Sequence, residues 1–476
     1  MVADTQTLPV RFTTQTPYPL PAQKFMIPAV WRRYQLSQLV NKALALSQPI
    51  PFDFLVRGEL LRGSLVDWCK DHGAGMEETL EVEYIESLMP PQRVASIPHD
   101  DWISSVSQLP GHFVTASYDG LLRVFDTSLS LTHTISGHTA PVTSVCLIPT
   151  LNSTDNVNID SEPEIRQLAS ASHDSTVRIT SLTLSSSSSP SSRTLATLHL
   201  HTGPISSVAA SPSGSNLLTA GWDSLVGIWD TTVPASDEVP AVSGVGQEER
   251  RKRRRIGAKG AGAQNRRSVD GGEEEAPWRK APAAVLKSHT TRVTDATFSP
   301  HDAHRAFSCG LDSTVRSWDV ETGVCVHTMN APEKPFLALT HLAAPHLLAV
   351  AAADRTVSIY DLRSFTSASS AVDTALKASA LVHAGTPLCL AASPSQGNGN
   401  ESHIASGALD GIVRVWDVRS TREALASFRA GADLNKKHGD AKVLGLDWSR
   451  GVLAVGGEAG LDIWRVSEGE RNMSEK

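Results

Sequence analysis

Histidine, hydroxyl and aspartate recur in this chain as the residue types that a hydrolase triad uses. The sets are His201, Thr219 and Asp223; His289, Ser308 and Asp312; and His383, Ser406 and Asp410, each followed by an indole at Trp229, Trp318 or Trp416. A catalytic triad does not return several times in one chain at corresponding spacing. The recurrence points instead to a buried network in which histidine, hydroxyl, turn aspartate and indole satisfy one another. A second signal is "GAGMEETLEVEY", Gly73–Tyr84, where Glu77 and Glu78 stand in a glycine-bracketed turn. Mg²⁺ takes oxygen ligands in octahedral array, and a carboxylate on a mobile tip can displace one of its waters. Gly73 and Gly75 would let the backbone turn sharply enough to present it. Surface carboxylates are common, so these residues alone leave a ligand and an ordinary solvated loop both open.

The elements that hold these residues come from a repeat. From about Asp100 an apolar strand, a small-residue turn with aspartate and a second apolar strand ending on an aromatic and Asp return again and again. The copies are "TASYDGLLRVFD", "SASHDSTVRIT", "TAGWDSLVGIWD", "SCGLDSTVRSWD", "VAAADRTVSIYD", "SGALDGIVRVWD" and the degenerate "VGGEAGLDIWRV". Their shortest spacing matches the ~40–45-residue period of WD40 repeats, and this part of the chain resembles the WD40 β-propeller family. The resemblance implies seven four-stranded blades over residues 91–467. The chain stops soon after the third strand of the last blade, so "PQRVASI", Pro91–Ile97, is the candidate for its missing outer strand, closing an edge that would invite aggregation. Phe125 and Thr180 replace the indole in the first and second copies and Val350 the hydroxyl in the fifth, so those blades are expected to rest on apolar packing.

Ahead of the propeller, residues 9–88 read as strands at Val10–Thr14, Phe52–Val56 and Leu80–Tyr84. A helix presents Leu36, Leu39, Val40, Ala43 and Leu44 on one face, and Ser64 with Asp67 has the spacing of a helix capping box. This order resembles a small α+β ubiquitin-like fold, and "FDFLVRGELLRGSLVDW" is similar to the Notchless-type N-terminal domain. The expected class is therefore mainly β, a propeller preceded by a ubiquitin-like domain. Residues 1–8 and 468–476 are expected to be flexible ends. Residues 236–282, placed between the third and fourth blades, read as a disordered charged insertion, too poor in large apolar side chains to fold alone. That insertion carries Arg250, Arg251, Lys252, Arg253, Arg254 and Arg255, a run compatible with nuclear import, an RNA-phosphate contact or a merely solvated loop.

The two domains together, with "PFDFLVRGELLRGSL" and "DDWISSV", resemble the WD-repeat ribosome biogenesis proteins of the pescadillo–block-of-proliferation complex, in a fungal-looking form. The resemblance implies a non-catalytic scaffold for the large (60S) ribosomal subunit, acting in pre-rRNA processing toward the 5.8S and 25S/28S species in nucleolus and nucleoplasm. It implies a block-of-proliferation propeller protein and a pescadillo family protein as partners. It also implies that Glu77 completes the coordination of Mg²⁺ in the adhesion site of midasin, an AAA+ ATPase that strips factors from pre-60S particles. No cofactor of the chain's own is expected, and neither a P-loop nor a paired-carboxylate site suggests an enzyme. The net charge of −7, five scattered cysteines without CxxC spacing and the lack of a long apolar run fit an intracellular, membrane-free protein. A rival reading is a substrate receptor of a cullin-type ubiquitin ligase, since "YDLR" and "WDVR", ending at Arg363 and Arg419, resemble WDxR boxes. A third is an RNA reader working through the basic loop.

Overall fold

The computed structural model describes residues 6–14, 16, 18–45, 49–73, 75, 77–87, 90–149, 164–184, 190–240, 277–331, 334–342, 346–363, 377–394, 402–420, 423–431 and 441–466. The basic run Arg250–Arg255 and the C-terminal residues 468–476 lie outside them.

The N-terminal domain runs β1 (Thr7–Thr13), β2 (Lys24–Pro28), α1 (Arg33–Leu44), β3 (Phe52–Val56), β4 (Glu59–Leu60), α2 (Leu65–His72) and β5 (Leu80–Glu86). Its sheet has the order β2-β1-β5-β3-β4, with β1 and β5 parallel at the centre, which is the ubiquitin-like arrangement. Alternation makes the sheet one-sided: Leu8, Val10 and Phe12 point into the core with Leu80, Val82 and Tyr84. From α1 the core takes Leu36 and Val40, with Leu39 and Leu44 at its margin, while Ala43 is exposed. The expected flexible start at residues 1–8 is shortened, because β1 already includes Thr7 and the fully buried Leu8, which pairs with Ile27.

Among the described residues seven further sheets follow, blades one to seven in chain order. The first strand of each blade packs on that of the next, and Val443–Ser449 of blade seven packs on Ile103–Leu109 of blade one, so the ring closes. The outer strand of blade seven is β6 (Gln92–Ile97), antiparallel to Gly460–Arg465. Arg93 seals this junction, its Nη2 2.8 Å from Oδ1 of the buried Asp462. A second seal is the backbone N–H of Gln108, which donates to Asp447 Oδ2 at 2.6 Å. The same bond links blades four and five, where Leu339 N–H donates to Asp295 at 2.9 Å. Burial pushes both aspartates up, to about 6. Between blades the core is apolar; Phe307, Cys309 and Met329 of blade four meet Phe336, Leu339 and Tyr360 of blade five.

The large insertion lies inside blade three rather than after it. It leaves the third strand, Leu225–Asp230, and the fourth strand, Ala284–Lys287, follows it. The aromatic-Asp motif ends a blade's third strand, so a count of motifs misplaces the outer strand that comes next. Both ends of the expected 236–282 insertion are ordered. Trp278–Lys280 adds a fifth, parallel strand to blade two beside Ser191–His199, and Glu238 N–H donates to Arg279 O at 2.8 Å. All five cysteines are free thiols, and no described helix is long and apolar enough to cross a membrane.

Candidate functional site: the acidic tip and the ring networks

The Glu77 tip is built by the end of α2 and the start of β5. Ser64 caps α2, its Oγ accepting from Asp67 N–H at 3.2 Å while Asp67 accepts from Ser64, which completes the capping box. Gly73 ends the helix at φ 61°, a left-handed conformation that favours glycine. A turn closed by Glu78 N–H donating to Gly75 O at 3.2 Å then leads into β5. The turn is braced from below. Trp68 stacks on His72 at 4.3 Å, and His72 Nε2 lies 2.6 Å from Glu59. The two glutamates differ. Glu78 faces Arg57, with 3.4 Å between Nη2 and Oε2, whereas Glu77 is exposed and has no ion pair among the described residues.

The three expected networks are not alike. In blade three Trp229 Nε1–H donates to Thr219 Oγ1 at 3.0 Å, and the hydroxyl lies 2.8 Å from His201 Nε2. His201 Nδ1–H then donates to Asp223 at 3.0 Å. Blade four repeats the chain: Trp318 to Ser308 at 2.8 Å, Ser308 to His289 at 2.7 Å, and His289 to Asp312 at 2.9 Å. Burial draws the Asp312 carboxyl up, but bonds from Thr314 and His289 outweigh it and hold it below the usual carboxylate range. A hydroxyl whose proton is committed to a histidine inside an indole-capped core is a structural link, not a nucleophile facing solvent.

In blade six the expected network is rearranged. Trp416 still donates to Ser406 at 2.9 Å, but Asp410 is taken by Arg414 at 3.0 Å. His383 sits 3.4 Å from Ser406 and its Nδ1 faces Arg414 Nη1 at 3.4 Å. Since Arg414 can only donate, Nδ1 accepts and Nε2 carries the proton, the opposite tautomer to blades three and four.

Where an arginine stands four residues after the turn aspartate, one side chain decides between the two outcomes; blade three has Gly227 there, and His201 keeps Asp223 although Leu225 offers no hydroxyl. In blade four Thr314 Oγ1 donates to Asp312 Oδ1 at 2.8 Å and leaves the other oxygen for histidine, although Arg316 is present. In blade six the corresponding residue is Ile412, which offers no hydroxyl, and the arginine wins. Blades two and one follow the same rule. Thr176 holds Asp174, and His138 lies 2.9 Å from Asp174 and 2.9 Å from Ser170. Leu121 stands at that place in blade one, and Asp119 goes to Arg123 at 2.6 Å. His138, Ser170 and Asp174 were missed by reading the sequence because Thr180 replaces the indole; the "GHTAPV" and "HDST" stretches carry the signal. Blade two is thus networked, not merely packed on apolar side chains.

Burial first, and then the Arg414 charge, lower His383 to about 4. The folded state therefore holds a neutral imidazole where the unfolded chain takes a proton, so this residue's contribution falls as pH drops from 6.5 toward 4, by about 1 kcal/mol per pH unit. His383→Asn removes the titration. The stability advantage of wild type over the variant is expected to shrink between pH 7 and 4.5 in urea unfolding; a constant difference would contradict the assignment.

The N-terminal domain rests on blade six. Arg62 Nε lies 2.7 Å from Glu423 Oε2 and Nη2 donates to Ala424 O at 2.9 Å, while Arg419 lies 3.6 Å from Glu83. Arg419 is also bound to Asp417 at 2.8 Å. The Arg62 pair is exposed on both sides, and such pairs contribute less than about 1 kcal/mol. Arg62→Glu is expected to leave the urea midpoint unchanged but to enlarge the radius of gyration by small-angle scattering; an unchanged radius would assign the docking to other contacts.

The NLE (NUC135) domain family matches residues 8–69, and the WD domain, G-beta repeat family matches residues 91–126, 129–181, 192–230, 280–319 and 381–417. Over 97% of this chain and 95% of its own length, a ribosome biogenesis protein YTM1 of Laccaria bicolor is 49% identical. A YTM1 protein of Coprinopsis cinerea is 47% identical over 98% of this chain and 96% of its own length. A ribosome biogenesis protein WDR12 homolog of Chlamydomonas reinhardtii is 32% identical over 95% and 94%.

Proposed function

The chain belongs to the YTM1/WDR12 family of ribosome biogenesis proteins, and from that premise we propose that it is a non-catalytic scaffold and handle in large-subunit assembly. The propeller holds partner proteins of the pescadillo–block-of-proliferation type within the pre-60S particle, in nucleolus and nucleoplasm, during pre-rRNA processing. The N-terminal domain offers Glu77 to midasin, so that force from another protein's ATP hydrolysis passes through this chain to its partners. The observation that carries the reading is the difference between the two tip glutamates: Glu77 projects unpaired while Arg57 takes Glu78. One carboxylate supplies only part of an octahedral Mg²⁺ shell, so the remaining oxygens come from the protein that holds the ion.

The networks support a scaffold in the same way, since their hydroxyls are buried and bonded. The cullin-receptor reading loses ground at Arg419, which is occupied by Asp417 and by Glu83 of the N-terminal domain. The test is affinity purification of the tagged chain followed by rRNA and protein identification. Precursors of the large-subunit rRNA together with an AAA+ ATPase are expected; a cullin adaptor without pre-rRNA would overturn the proposal.

A further inference from the structure

One face of the ring carries side chains that neither the networks nor the Glu77 tip uses. In each blade the residue after the second strand donates its N–H to a carbonyl just before the first: Tyr118 to Trp102, His173 to Pro141, Trp222 to Pro204 and Leu311 to Arg292, at 2.9–3.0 Å. Glu458 donates to Lys442 in the same way at 3.0 Å. Because the bond repeats, these residues share one face by the symmetry of the fold.

On that face aromatic and basic side chains form two clusters, each crossing a blade boundary. Lys442 of blade seven lies 4.6 Å from the ring centroid of Trp102 in blade one, which meets Tyr118 at 6.1 Å. His173 of blade two meets Trp222 of blade three at 5.4 Å, and Arg292 of blade four covers the same indole at 4.0 Å. Trp102 and Trp222 remain 37% and 39% exposed. The other ring tryptophans at the network positions, Trp229, Trp318 and Trp416, are almost wholly buried. The two half-open indoles bridge neighbouring blades on one side and present the rest of the ring to solvent on the same face. Tryptophan, tyrosine and arginine are the side chains that dominate protein–protein binding energy, through large rigid contact area at little entropy.

Charge selects the occupant. Among the described residues Arg292 and Lys442 each rest on a ring and on no carboxylate, so each has a place for an incoming anion. The same face also exposes Asp101 and Glu458, so its cations are two separate points rather than the continuous positive track that a polyphosphate backbone follows. We propose that these two clusters, one on blades seven and one and the other on blades two to four, dock a protein segment carrying acidic side chains next to apolar ones. The apolar groups lie on Trp102 and Trp222, and the carboxylates reach Lys442 and Arg292. The inference rests on the assembly reading only for the source of the partner, the pre-ribosomal particle.

The test places a photoreactive side chain in the full-length protein, Trp222→p-benzoylphenylalanine, irradiates purified particles and maps the adduct by mass spectrometry. An adduct on a protein segment with Asp or Glu beside apolar residues is expected, with a yield at least tenfold lower when Arg292→Glu is added. Lys442→Glu gives an independent measurement on blade seven and is expected to lower the yield as well. An adduct on RNA, a yield indifferent to both reversals, or no adduct on a chain that still co-purifies with particles overturns this inference alone. A wild-type chain that fails to co-purify with pre-rRNA overturns the assembly reading and this inference with it.

Discussion

Glu77→Ala is expected to leave the fold intact and to abolish Mg²⁺-dependent capture by midasin. The side chain is exposed and unpaired, so its removal uncovers no buried group and disturbs neither the Gly73 cap nor the Trp68–His72 brace. On the proposed reading, what is lost is a charged ligand whose absence leaves the cation short of one oxygen. Truncating one side of a buried charge contact costs about 2–5 kcal/mol, which is roughly 30- to several thousand-fold in affinity. Glu77→Asp should fail largely as well, since the chain shortens by one methylene and an octahedral Mg²⁺ shell tolerates little displacement. Glu78→Ala is the matched control: it removes only an exposed ion pair with Arg57 and should bind normally. Pull-down of the motor with and without chelator compares all four proteins. Equal retention of wild type and Glu77→Ala would end the ligand assignment.

Asp312→Ala and Asp410→Ala are expected to differ in stability despite occupying the same place in two repeats. Asp312 accepts from the buried His289, from Thr314 Oγ1 and from the Thr290 and Thr314 backbone N–H groups, so its loss breaks four hydrogen bonds at once. At about 1 kcal/mol for each bond the cost is about 3–5 kcal/mol. Asp410 accepts only from Arg414 and from Ile412 N–H among the described residues, so its loss should cost less, about 1.5–3 kcal/mol. Urea unfolding of the two variants side by side gives the comparison. Equal costs would show that the threonine at the second place after the aspartate does not govern the partner. The reciprocal change, Thr314→Ile, should then lose stability by releasing Asp312 to Arg316.

Much of this protein was legible because its information is local. A strand, turn and strand within a dozen residues fix one another through period-two alternation and a turn aspartate, and the resemblance of the copies to WD40 repeats implies a ring. Ring closure by Gln92–Ile97 followed from counting strands, since an open edge strand is a liability. The tip carrying Glu77 was legible for a similar reason: Gly73, the Ser64–Asp67 box and the alternating Leu80–Tyr84 are all near neighbours in sequence.

Choices between competing partners were not legible. Where histidine and arginine compete for the turn aspartate, a single hydroxyl at Thr314 or its absence at Ile412 decides the outcome. The outer strands of the blades were similarly ambiguous. Short, half-exposed stretches such as Trp278–Lys280 carry little pattern of their own and become strands only because an edge is waiting for them. Arg62 meeting Glu423, and Lys442 meeting Trp102, depend on which surfaces closure and docking bring together. Sequence alone therefore set the kind of molecule, its repeat and its exposed acid, because these follow from contacts between close neighbours along the chain. Tertiary structure set which buried donor serves which acceptor and which distant residues share a face, because those are decided by competition for the same few cubic ångströms.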